Sequence, residues 1–127
     1  MTAAWQELES FAFGNSPEMA DRLLAFVLAG SKRATCWSIA DGQQTYPGKR
    51  MVVLDGSARP RAVIETVTLE QRRFFDVDLE FALAEGEGDE TLEDWRQGHQ
   101  AYFERNGGFD PEMMLWCERF ELVEVIA

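Results

Sequence analysis

A chain of 127 residues with 46% hydrophobic and 28% charged residues is long enough for one domain with a substantial core. Nine Phe and four Trp exclude a disordered polypeptide, and the longest wholly apolar run, Leu23 to Ala29, is too short to cross a bilayer. A net charge of −11 argues against non-specific binding to long polyanions. That charge is unevenly placed. Residues 32–73 carry eight bases against four acids, whereas residues 74–127 carry three bases against fifteen acids. The basic island either gathers around a cleft for a short anionic ligand or is scattered as partners for the acidic C-terminal half.

In chain order, Ala3 to Ser10 reads as a short helix. Ser16, Pro17 and Glu18 have the order of an N-cap, a first helical residue and a first-turn acid. Met19, Ala20, Leu23, Leu24, Phe26 and Val27 then recur at helical spacing until Gly30 stops the helix. Thr35 to Ile39 reads as a strand, and Asp41-Gly42 and Tyr46-Pro47-Gly48 are turn chemistry. Arg50 to Leu54 and Arg61 to Leu69 read as two strands of an antiparallel hairpin. A helix over Leu79 to Glu85 ends at Gly86. Thr91 then caps a helix that presents Leu92, Trp95, His99, Tyr102 and Phe103 on one side and stops near Gly107-Gly108. Leu115 to Ile126 is a final strand, long enough to need a bend or bulge. Helices segregated from antiparallel strands predict an α+β fold with a closed or partly closed barrel. Residues 1–127 read as a single domain with residues 1–15 as an N-terminal extension.

The N-terminus carries Glu7 and Glu9 and has no basic n-region, so no secretory signal is visible. Cys36 and Cys117 are then expected as reduced thiols, and the protein as cytoplasmic. One His and two well-separated Cys do not have the spacing of an ordinary zinc site, so neither metal nor cofactor is expected. A P-loop, a dinucleotide fingerprint and a nucleophile elbow are all missing.

Two stretches carry candidate chemistry. In Gly30-Ser31-Lys32-Arg33-Ala34-Thr35, a lysine stands three residues before a threonine at the mouth of a strand. A lysine in a partly desolvated pocket can act as a base on a nearby hydroxyl, which then attacks a carbonyl. The same residues also suit a plainer role, Lys32 and Arg33 neutralising the helix end and Thr35 starting a strand. In Ala84-Glu85-Gly86-Glu87-Gly88-Asp89, acids alternate with glycines, which marks an open loop. A carboxylate there can hold or shuttle a proton, or the stretch is only an acidic turn; it lacks the EF-hand pattern of a calcium loop. His99, among Trp95, Tyr102 and Phe103, reads as a packed or hydrogen-bonded structural histidine. Trp37, Tyr46, Trp95 and Trp116 could each offer a nucleobase a stacking face or belong to the core.

Gly30-x-Lys32-x-x-Thr35, Pro47-Gly48 before Met51–Leu54, Ala84-Glu85-Gly86-Glu87, the Trp95-Arg96-x-x-His99 helix and the closing Glu118–Val123 together resemble the ASCH domain family, over about residues 16–127. The resemblance implies a PUA-like, partly closed antiparallel or mixed β-barrel with flanking helices, linked to RNA. Some members of the family are ribonucleases; smaller ones hydrolyse the acetyl amide of N4-acetylcytidine with a Lys, a Thr and a Glu. Those three fall on Lys32, Thr35 and Glu87, with Glu85 as neighbour and Arg33 beside the lysine. Three functions follow as expectations. One is an amidohydrolase on an acylated nucleoside. Another is a ribonuclease using Lys32, Tyr46 and Arg61 around the phosphate. The third is a non-catalytic RNA- or nucleotide-binding module. The expected ligand is a modified nucleoside or short RNA, with no membrane and no metal involved.

Overall fold

The computed structural model describes residues 5–126. A single 3-10 turn, Trp5–Glu7, precedes β1 (Ser10–Phe11), and then come α1 (Pro17–Leu28), β2 (Ala34–Ser38), β3 (Arg50–Leu54) and β4 (Pro60–Arg73). After a 3-10 turn at Phe74–Asp76 the chain forms α2 (Leu79–Glu85), α3 (Leu92–Arg105) and β5 (Met114–Val125). The five strands lie in one sheet in the order β1-β3-β4-β5-β2, with β1 parallel to β3 and every other pair antiparallel.

The long strands β4 and β5 are the spine. They pair from Ala62–Val125 to Arg73–Met114, and the register shifts at Val63/Ile64 and Thr66/Thr68. Each shift is a bulge that bends the ladder, as the length of the last strand requires. The first half of β4 also pairs with β3, and the first half of β5 with β2, so the sheet curls without closing.

Local chemistry explains most boundaries. The Ser16 side chain accepts a hydrogen bond from the Met19 N–H with Pro17 in the first helical turn, as expected of a cap. Asp78 caps α2 through the Phe81 N–H, and Thr91 caps α3 through the Asp94 N–H. Gly86 closes α2 in the left-handed conformation at φ 63°.

The structure differs from the sequence reading in three places. Ser10, expected at the end of a helix, pairs with Val52 in the sheet, and Phe11 with Val53; of the expected Ala3–Ser10 helix, Ala3 and Ala4 lie outside the described residues. The strand expected to end at Leu69 continues to Arg73, because β5 supplies ladder partners for its polar second half. Ile39 leaves β2 and opens a 3-10 turn capped by Ser38.

Among the described residues three apolar clusters pack on the sheet, the smallest being Val52, Val63 and Ile126. Phe13, Leu23, Leu24 and Val27 pack on Val53, Ile64 and Phe120, seating α1. On the other side Trp95 and Phe103 of α3 and Phe81 of α2 enclose Phe74, Leu115 and Cys117. Phe74 is the hub, with ring centroids 5.3 Å from Trp95 and 4.9 Å from Phe109. Among the described residues no helix is long and apolar enough to cross a membrane.

Candidate active site

The turn after α1 and the end of α2 are pressed together, and Gly86 is the reason. A Cβ at that position would lie 1.9 Å from the Ser31 carbonyl oxygen, so only glycine allows the two segments to touch. The glycine serves a close approach of the chain to itself rather than to a ligand. The Arg33 N–H donates to the Ala84 carbonyl at 2.7 Å, holding residues 31–33 against 84–87.

That contact buries Lys32, whose side chain has no exposure. Its ammonium donates to the Ala34 carbonyl at 2.8 Å and to Glu87 Oε2 at 2.6 Å, and stands 3.8 Å from Glu85 Oε2. It also sits 5.3 Å over the Phe13 ring. A lysine sealed in this way is held by charge partners on two sides, not by solvent.

Above this ion pair opens a cavity of about 430 Å³, walled by β2 (Thr35, Cys36, Trp37), by Glu85 and Glu87, and by His99 and Tyr102 of α3. The volume falls in the range of about 300–1,000 Å³ common to small-ligand sites. Of the residues singled out in the sequence, Thr35, Trp37, Glu85 and Glu87 line it, and Lys32 supports it from below. The Thr35 hydroxyl makes no hydrogen bond to Lys32, whose ammonium donates to the Ala34 and Glu85 carbonyls and to Glu87.

Arg33, Tyr46 and Arg61 lie elsewhere. Arg33 is exposed, and Tyr46 is exposed beside Lys49. Arg61 faces Asp55 at 3.5 Å. It adjoins the Ala62–Val125 end of the ladder, about 20 Å along β5 from the Thr35–Glu118 pair at the usual rise per residue. The basic island does not gather. Lys49 pairs with Glu9, Arg50 with Glu65, Arg59 with Asp55, and Arg73 with Glu112. The cationic side chains lining the cavity are instead Arg22 and Arg105, in neither case from that segment.

Glu85 is the centre of a second network. It is 2% exposed, and its Oε1 accepts hydrogen bonds from the Trp95 indole N–H, from His99 Nε2 at 3.1 Å and from the Cys36 thiol at 3.7 Å. His99 stacks on Trp95 at 4.1 Å, and its Nδ1 lies 3.0 Å from the Trp95 carbonyl. The histidine is therefore packed and hydrogen-bonded, as read from sequence, and it also forms part of the cavity wall. Burial opposes charge on both groups, yet each favours the charged form of the other: the His99 pKa is raised by the Glu85 carboxylate, and the Glu85 pKa is lowered by His99, Lys32 and Trp95. Burial pushes the Cys36 thiol well above its ordinary value, and Glu85 adds to the shift.

Sequence reasoning counted Glu118 in the closing motif but gave it no role in the site. It stands directly opposite Thr35 in the β2–β5 ladder, is 6% exposed, and accepts from the Thr66 hydroxyl at 2.7 Å. Burial raises its pKa, with Thr66 and Lys32 opposing. A carboxyl whose folded pKa is raised binds its proton more tightly when folded, so stability falls as pH rises from about 4.5 through the folded value. Glu118→Gln, which stays neutral and can still accept from Thr66, should melt at a higher temperature than wild type at pH 8. The difference should close below about pH 4; thermal melts across that range check it, and a constant difference contradicts it.

Comparison with known proteins identifies the family and fold. The ASCH domain model matches residues 9–124. Protein EF3133 from Enterococcus faecalis V583 has a similar structure at TM-score 0.82 and 34% identity, covering 92% of this chain and 77% of that one. An ASCH domain from Lactobacillus crispatus JV V101 is similar at TM-score 0.82 and 26% identity, covering 91% and 79%. No curated protein matches. The curled five-stranded mixed sheet with three helices is the PUA-like arrangement expected from the sequence motifs. This chain belongs to the ASCH domain family.

Proposed function

We propose that the protein hydrolyses the amide of an acylated nucleoside of the N4-acetylcytidine type, with Thr35 as nucleophile, Lys32 as base and Glu87 as proton relay. The observation that carries this reading is the 2.6 Å pair of the buried Lys32 and the half-buried Glu87 beside a cavity that Thr35 lines. Glu87 takes the Lys32 proton along that hydrogen bond, and the neutral amine takes the proton of Thr35 as its oxygen bonds to the acetyl carbon. The C–N bond then breaks, and the amine of cytidine leaves with a proton returned through Lys32. Water attacks the acyl-threonine by the same route, releasing acetate. The cycle requires the Thr35 hydroxyl to turn towards Lys32 as substrate seats. Trp37, on the cavity wall, offers the base a flat face.

The test is incubation with N4-acetylcytidine and chromatographic detection of cytidine. Thr35→Ala should lower kcat at least about a thousand-fold, since members of such a unit fail together when one is removed. Absence of product with wild type at high enzyme concentration rejects the reading.

A second reading has one observation in its favour. Arg22 and Arg105 line the cavity and form no ion pair among the described residues, which suits a phosphate-bearing ligand such as a short single-stranded RNA. Cleavage of labelled RNA that disappears in Lys32→Ala would favour a ribonuclease. Salt-sensitive binding without turnover would favour a binding module. The positions of Tyr46 and Arg61 lend the ribonuclease reading no support.

A further inference from the structure

The sequence spacing of Cys36, Glu85 and His99 hides a cluster that folding assembles. They come from β2, the end of α2 and the middle of α3, and their donor atoms lie within 4.8 Å of one another. We propose that these three side chains form a transition-metal site, best matched to Zn2+, with its fourth position open to the cavity. The proposal does not depend on the amidohydrolase reading, because it concerns metal binding without turnover.

The donor set is a thiolate, an imidazole and a carboxylate, which is the borderline-soft mixture that zinc accepts. Tetrahedral zinc with bonds of about 2.0–2.3 Å places its donors roughly 3.3–3.7 Å apart. Here Cys36 Sγ is 3.7 Å and His99 Nε2 is 3.1 Å from Glu85 Oε1, so little movement is needed. All three residues line the cavity, so a water or an oxygen or nitrogen donor of the cavity's ligand can complete the coordination.

The surroundings already orient the ligands, and a bound cation would displace the protons on the Cys36 thiol and on His99 Nε2. A metal-binding histidine commonly donates its other ring N–H to a backbone carbonyl, and His99 Nδ1 faces the Trp95 carbonyl at 3.0 Å. That partner fixes the tautomer and leaves Nε2 pointing at the cluster. Glu85 divides its two oxygens: Oε2 faces the Lys32 ammonium at 3.8 Å, whereas Oε1 faces Cys36 and His99. The lysine therefore neutralises the far side of the carboxylate without occupying the metal position. In the metal-free protein, protons on the thiol and on Nε2 hold the place of the cation. Glu87 and Asp89 on the same wall add negative charge that favours it.

The test uses the full chain, reduced and treated with chelator, titrated with Co2+ as a spectroscopic stand-in and then displaced with Zn2+. The expected result is saturable binding with an intense thiolate-to-cobalt charge-transfer band and the visible bands of tetrahedral Co2+, both abolished by Zn2+. Cys36→Ser should remove the charge-transfer band, and His99→Gln should weaken binding at least tenfold. Cys117→Ser should change neither. Circular dichroism confirms that each variant is folded, and the wild-type spectrum alone decides the matter if a variant is not. A weak octahedral spectrum without the thiolate band overturns the proposal. So does a band that survives Cys36→Ser.

Discussion

Trp95→Ala is expected to destabilise the protein by about 3–5 kcal/mol, the usual cost of emptying a large aromatic site in a core. Trp95 has no solvent exposure, lies against Phe74 and stacks on His99. Its indole N–H also donates to the buried Glu85 carboxylate, so truncation leaves that acceptor short of a partner as well as opening a void. For a chain of this length the loss corresponds to a fall in Tm on the order of 10–20 °C. Trp95→Phe separates the two contributions. It keeps most of the volume and loses only the donor, at a cost of about 1–3 kcal/mol. Chemical denaturation of the three proteins measures both steps. Trp95→Phe matching wild type would mean that the hydrogen bond to Glu85 adds nothing to stability.

The placement of Trp95 shows what the sequence made readable and what it did not. Helix ends marked by a cap or glycine named in the sequence were placed correctly. Ser16 and Pro17 start α1, Gly86 ends α2 and Thr91 starts α3, whereas the Asp78 cap of α2 and the Ser38 cap that turns Ile39 out of β2 were not read. Boundaries set by a distant strand were misplaced. Arg72 and Arg73 carry no strand pattern of their own and are held extended by Leu115 and Met114 of β5. The site divides in the same way. Lys32, Thr35 and Glu87 were singled out because motif residues cluster in two short stretches, and the fold brings those stretches together through Gly86. Glu85 was singled out beside Glu87, but its grouping with Cys36 and His99 had no such signal, since the three are separated by 49 and 14 positions and the last was absorbed into an apolar helix face. Glu118 was equally hidden. Only the β2–β5 register reveals that it stands opposite Thr35. Arg61 sits at the wrong end of a strand whose direction no local pattern reports.

Lys32→Met is expected to have the largest effect on activity and a large effect on stability, and the two can be told apart. The substitution keeps a flexible side chain of similar length in a site with no exposure, so packing is largely preserved. What disappears is the charge that compensates Glu87 at 2.6 Å and Glu85 at 3.8 Å. Removing one partner from a buried ion pair typically costs about 3–5 kcal/mol, most of it the penalty of the carboxylate left behind. Adding Glu87→Gln should therefore recover part of the lost stability, because an amide needs no counter-charge. Activity behaves differently under the proposed mechanism, in which Lys32 moves the Thr35 proton and Glu87 moves that of Lys32. Each single variant should lose turnover of N4-acetylcytidine by about a thousand-fold or more, and the double variant should be no worse than Lys32→Met alone. Denaturation curves and single-turnover kinetics on the four proteins form the cycle. Stability and activity recovering together in the double variant would show that the pair is structural and that the base lies elsewhere. Recovery of stability with activity still absent would assign the chemistry to the amine itself.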